Sequence, residues 1–168
     1  MNAGAYKSDM GYIVRKVKVL TPENEIINLT NKEMDFHYRT SFLQKHPNYI
    51  CLEVTLRLKR GKKEEIEKLI KDRRKRRLQT QPLEYPSAGS VFRNPSPEEP
   101  AGKIIEEIGL KGVTKGGAEI SRKHANFIIN TGGASASDIK YLIDYARNSV
   151  KENRNIDLKV EQEFVNWE

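Results

Sequence analysis

Residues 49–58, YICLEVTLRL, constrain the fold more tightly than any other segment of this 168-residue chain. Ile50, Leu52, Val54, Leu56 and Leu58 alternate with Cys51, Glu53, Thr55 and Arg57. A period of two sends successive side chains to opposite faces of a strand, whereas a helix would scatter them around its circumference. The segment predicts a strand with one apolar face. Residues 12–20, where Ile13, Val17 and Val19 alternate with basic residues, predict a second strand. A Pro-Glu-Asn turn follows, then a third strand over residues 25–29. Asn31 is placed to cap a short helical turn before Phe36.

Further along, the period changes to that of helices. Residues 62–79 put Ile66, Leu69 and Ile70 on one face and end in a cationic run, KDRRKRR at 71–77, which supplies much of the net charge of +7. Such a run reads as the solvated end of an amphipathic helix, where cations are favoured by the helix dipole. It also fits a nucleic-acid or anionic partner. The interleaved aromatics and glycines of common RNA-binding motifs are missing, which ranks nucleic acid lower. A nucleotide-diphosphate ligand would benefit from the same positive field.

Pro97 and Pro100 precede a helix through Ile104, Ile105 and Ile108 that stops near Gly109. Residues 127–130 predict a short buried strand. Ser135 and Asp138 have capping-box spacing for a long helix with Ile139, Leu142, Ile143, Ala146 and Val150 as its buried stripe. Residues 156–165 predict a final strand. The expected class is α+β, with antiparallel sheets in both halves. No apolar run reaches the length of a membrane span, so no membrane partner is expected. Cys51, the single cysteine, has no intrachain disulfide partner, which suits a reducing, cytoplasmic setting.

The segment 81–95, QPLEYPSAGSVFRNP, carries the strongest functional signal. Pro82 and Pro86 exclude a helix ahead of the small turn Ala88-Gly89-Ser90, which leads into Val91 and Phe92. The segment reads as an ordered loop that presents Ser90 beside the charged fork of Arg93 and the amide of Asn94, a combination suited to a phosphorylated ligand. On composition alone, an ordinary Pro/Gly turn with solvated side chains is the favoured reading.

The loop resembles the serine loop of the UDP-N-acetylenolpyruvoylglucosamine reductase family. MNAGAY (1–6), YRTSF (38–42), AGKIIEEIGLKGV (101–113), GGAEISRKHANFIIN (116–130) and IDLKVE (156–161) resemble the same family in the same order. The resemblance implies the back half of a FAD-binding domain over residues 1–63 and a complete UDP-sugar substrate domain over 64–154. Residues 155–168 would be a tail returning to the flavin domain. The family's earlier Gly-rich phosphate-binding stretch has no counterpart, so an incomplete form is expected, with an N-terminal flavin-binding segment as its missing partner. The implied chemistry is peptidoglycan-precursor synthesis. NADPH reduces FAD, and hydride then passes to the enolpyruvyl double bond of the UDP-sugar.

Three residues match the family's catalytic positions: Arg39, which would stabilise enolate charge; Ser90, the proton donor; and Glu161, across the site. Tyr38, Arg93, Asn94 and His124 match substrate-contacting positions. Asn2, Ala3, Gly4 and Tyr6 match the flavin-side loop. Two departures stand out. Gln162 and Glu163 follow Glu161 where the family has Val-Arg, and Lys7 replaces a glycine after the tyrosine. Two other readings remain open: a basic nucleic-acid-binding protein, and a remnant that binds UDP-sugar without catalysis.

Overall fold

Val14, Val17 and Val19 are buried, and the first sheet is built over them. The computed structural model describes residues 1–166. It consists of two units, Met1–Lys62 and Lys63–Glu168. The first unit opens with a hairpin of β1 (Gly4–Ala5) and β2 (Ser8–Asp9). Tyr6 and Lys7 turn this hairpin with φ of 55° and 61°. Positive φ at both central residues is what a two-residue hairpin turn of type I′ requires. Lys7 therefore makes the turn that glycine would make more easily.

A three-stranded antiparallel sheet follows, in the order β4 (Ile26–Thr30), β3 (Val14–Leu20), β5 (Ile50–Leu56). A short helix, α1 (Phe42–Lys45), precedes β5. The expected alternation of Ile13 with Val17 gives way to burial of Val14, because the β3–β5 register shifts between Val14 and Lys16. The extra residue of the bulge changes which side chains reach the core. Asn31 caps no helix: its Nδ2 donates to the carbonyls of Gly11 and Val14 at 2.8 and 2.7 Å. Thr30 does the capping, its hydroxyl accepting from Glu33 N–H while Glu33 accepts from Thr30 N–H. The stripe of β5 behaves differently from expectation. Ile50, Leu52, Val54 and Leu56 remain between 43% and 57% exposed, and Leu58 beyond them is exposed too.

The second unit begins with α2 (Lys63–Thr80), which has no buried residue; Ile66, Leu69 and Ile70 are exposed along with the cationic run. A four-stranded sheet then forms in the order β6 (Ser87–Ser90), β9 (Phe127–Asn130), β8 (Ala118–Ile120), β7 (Thr114–Lys115). Every pairing in it is antiparallel. Between these strands lies α3 (Ala101–Glu107), and α4 (Ala136–Arg154) closes the sheet. Ile104 and Ile105 of α3, Ile120 and Ile128 of the sheet, and Leu142, Ile143 and Val150 of α4 share one core. The predicted final strand over 156–165 reduces to a single bridge, Val160 to Phe92, with Leu158 buried in the same core.

Helix α4 starts with the predicted capping box. Ser135 Oγ accepts from Asp138 N–H at 3.1 Å, and Asp138 Oδ2 accepts from Ser135 N–H at 2.9 Å. The Ser135 N–H, together with the Ser135 hydroxyl donating to Oδ2 at 2.8 Å, holds the Asp138 carboxyl below its ordinary range. Ser135→Ala should lower stability by about 1 kcal/mol, read as a shift in denaturant midpoint by circular dichroism. Replacing Leu52 and Leu56 with lysine should reduce concentration-dependent self-association in light scattering, because charges on an edge strand block pairing with another edge.

Candidate active site

Past Ser90 the chain leaves the β6–β9 ladder, and its backbone groups need new partners. Ser90 itself pairs with Phe127. Gly89, at φ 79°, supplies the left-handed residue on which the strand turns. Asn126 then takes over on one side. Its carbonyl accepts from Val91 N–H at 2.9 Å, its Oδ1 accepts from Phe92 N–H at 2.9 Å, and its Nδ2 donates to Phe92 O at 2.8 Å. The C-terminal segment holds the other side. Glu161 N–H donates to Val91 O at 2.8 Å, and Arg93 N–H donates to Lys159 O at 2.9 Å. Gln162 Nε2 reaches Gly89 O at 3.4 Å. Glu161 is thereby brought beside the serine loop, although its expected strand is only a bridge.

Ser90, Asn94 and His124 line one cleft of about 710 Å³, together with Lys103, Lys123 and Asn126. Asn94 Oδ1 accepts from Ala101 N–H at 3.1 Å, which ties the loop to the start of α3. The turn that carries Lys123 and His124 is fixed by buried Ser121, whose hydroxyl accepts from both backbone N–H groups at 3.1 and 3.3 Å. Lys123 also pairs with Glu84 at 3.2 Å. Arg93 is not among the cleft-lining residues, and its buried Nε has no hydrogen-bond partner among the described residues.

His124 packs edge-on against Phe127, with ring centroids 4.9 Å apart. Asn126 N–H donates to its Nδ1 at 3.2 Å. Burial pushes its pKa below the ordinary 6.5; a hydrogen bond to its own backbone opposes this, Lys111 reinforces it and Glu106 opposes it. The imidazole is neutral at pH 7. With the Nδ1 lone pair occupied, the proton lies on Nε2, so His124 offers a neutral donor.

The first unit has its own cleft, of about 450 Å³, lined by Asn2, Tyr12, Asn31, Phe36 and Tyr38 among others. Asn2 is buried, with Nδ2 donating to His37 O at 3.1 Å and Oδ1 accepting from Gly11 N–H at 2.9 Å. Its side chain thus links the MNAGAY loop to the turn carrying Tyr38 and Arg39. That turn closes through the His37–Thr40 bridge, with Arg39 at φ 53° and its guanidinium 5.0 Å from the Tyr38 ring centre. Ala3 O accepts from Met10 N–H at 3.0 Å, and Gly4 pairs with Asp9 inside the hairpin that Tyr6 turns.

A family model described as the C-terminal domain of UDP-N-acetylenolpyruvoylglucosamine reductase matches residues 81–165. A relative of that name from Bacillus licheniformis is 44% identical over 165 residues, covering 98% of this chain and 89% of the relative. The chain belongs to the UDP-N-acetylenolpyruvoylglucosamine reductase family. Its counterpart in Anoxybacillus flavithermus is 49% identical over 98% of this chain but only 54% of its own length. The chain thus spans about half the length of such curated relatives. The crystal structure of the reductase from Thermus caldophilus superposes with a TM-score of 0.82 at 37% identity, covering 97% of this chain and 57% of that one. Ser90, Arg93, Asn94, His124 and Glu161 all fall inside the span of the family model.

Asn126, Ser121 and Lys123 were not foreseen as parts of the site. A polar asparagine at the entry to the apolar run Phe127–Ile129 was a usable signal, since a buried amide must find partners. The depressed pKa of His124 also fixes a pH dependence. Above 6.5 both the folded and the unfolded states hold a neutral ring. As pH falls through 6.5 the unfolded chain takes up the proton first, and stability declines until the folded midpoint is passed. His124→Gln should flatten this decline in denaturation series between pH 7.5 and 5; an unchanged slope would show that the ring is not protected.

Proposed function

We propose that this chain carries the substrate-side machinery of flavin-dependent reduction of UDP-N-acetylglucosamine enolpyruvate to UDP-N-acetylmuramate, a step of peptidoglycan synthesis. The observation that carries this reading is the convergence of Ser90, Asn94 and His124 on one cleft, with Glu161 tied by its backbone to the residue after Ser90. Residues 64–154 are assigned to the UDP-sugar domain and 1–63 to the flavin side. The terminal segment 155–168 contributes Glu161.

The cleft of the first unit has aromatic walls and a polar rim, which fits a planar heteroaromatic group such as the flavin of FAD. Asn2 lines this cleft, but its amide is already committed to His37 and Gly11, so it would act, with Ala3, Gly4 and Tyr6 of the adjoining hairpin, through the shape of the loop and its backbone. When bound, the flavin would supply the hydride chemistry linking NADPH to the enolpyruvyl substrate. The protein's own groups do the rest. Arg39, always protonated, stabilises negative charge on the substrate carboxylate as it becomes enolate-like, and Tyr38 packs beside it. Ser90 donates its proton to the carbanion-like carbon and recovers one from solvent. Glu161, on the neighbouring segment, polarises the intermediate. Asn94 and His124 offer neutral hydrogen-bond donors to the UDP-sugar, while Arg93, which does not line the cleft and whose Nε is buried, would act on the ligand through its charge alone.

In a preparation that contains the flavin, Ser90→Ala should leave flavin reduction by NADPH nearly intact. Reoxidation by the enolpyruvyl substrate should slow by about 10²- to 10⁴-fold, the usual contribution of a positioned acid. Equal losses in both half-reactions would make the loop structural only. Arg39→Lys should impair reoxidation selectively, because an ammonium cannot reproduce the planar fork. UDP-sugar binding without any flavin turnover would favour the non-catalytic reading, and salt-dependent oligonucleotide binding would favour the nucleic-acid one.

A further inference from the structure

We infer that Asn126 is a positioning residue that couples His124 to the Ser90 loop, so that the donor of the cleft and the serine hydroxyl are held as one unit. The inference rests on Ser90 being the proton donor. Asn126 is only 4% exposed and makes four hydrogen bonds in two directions. Its side-chain amide pairs with both backbone groups of Phe92, and its carbonyl accepts from Val91 N–H, the residue next to Ser90. Its own N–H donates to His124 Nδ1. The side chain thus imitates a strand partner where β9 has none to offer, and the backbone sets the histidine tautomer.

A residue that merely filled space would bond in one direction. Here a change at the histidine has a path to the serine: if Nδ1 becomes a donor, Asn126 N–H loses its acceptor, and the residue that anchors Val91 and Phe92 is released on that side. The charged groups around the ring are Lys103, Glu106 and Glu107 of α3, Lys111 after it, and Lys123 in the same turn. None of them replaces the Asn126 N–H as partner of Nδ1.

Hydrogen exchange and imidazole nitrogen NMR on the full chain test this without any flavin. Asn126→Ala should speed exchange of the Val91 and Phe92 amides by about tenfold while Ile120 and Ala146 stay near their wild-type rates. Acceleration spread evenly over the second unit would reduce Asn126 to a structural residue and overturn the proposal. Should that variant not fold, the wild type decides. Its His124 should show the Nε2–H tautomer at neutral pH, and the amide shifts of Asn126 and Phe92 should titrate with the His124 midpoint. Amides that ignore that midpoint, or a ring protonated on Nδ1, would overturn the coupling. Coupled titration alongside a Ser90→Ala variant with normal flavin reoxidation would overturn the serine's role alone, so the two failures are distinguishable.

Discussion

The backbone polar groups of Val91 and Phe92 lie in a dry interior, and the second unit is arranged around satisfying them. Both side chains are buried, so their amides cannot turn to water. One such group left unpaired costs about 1–3 kcal/mol. On one flank Asn126 supplies the partners, and on the other Glu161 and the single Val160 bridge supply them. A segment with no regular secondary structure is thereby held as firmly as a central strand. The exposed serine just before it inherits that rigidity, which suits the proton-donor role proposed for it.

The first unit solves the opposite problem less completely. Its sheet covers Val14, Val17, Val19, Leu29 and Met34 on one side, a small core. The apolar stripe of β5 stays on the surface, next to an edge whose hydrogen-bonding groups lie open. Small domains bury a lower fraction of their surface and depend more on what covers such stripes. Within the unit, two buried or bridging asparagines compensate locally. Asn2 and Asn31 bind the 3–10 turn Met10–Tyr12 and its neighbours from both sides, stiffening the loop next to Tyr38 and Arg39.

Legibility in the sequence followed the physics of each signal. Helix α4 was readable in full because its capping box and its stripe of Leu142, Ile143, Ala146 and Val150 agree. β9 was readable because the apolar run Phe127–Ile129 is short and bounded by asparagines. β7 and β8 were not, since two- and three-residue strands have too few positions to display a period. Ile13 misled because alternation cannot announce a bulge. The serine loop and its neighbours were legible through resemblance, not periodicity. Asn126 escaped because resemblance pointed to groups expected to meet a ligand, whereas its side chain pairs with the backbone of Phe92.

Charge in the cleft is divided in a way that composition could not reveal. His124 is a neutral donor, so the positive field comes from Lys103 and Lys123. Each already faces a carboxylate: Lys103 lies 3.8 Å from Glu107, and Lys123 lies 3.2 Å from Glu84. These pairs are exposed enough that solvent weakens them, so an incoming anion competes with a modest attraction and not with a desolvated ion pair. An anionic ligand would therefore draw its Coulombic attraction from lysines that screen with salt, and its orientation from Asn94 and His124, which carry no charge to screen. The cationic run of α2 adds a long-range field but no enclosed geometry, because no residue of that helix is buried. Attraction and positioning thus reside in different side chains.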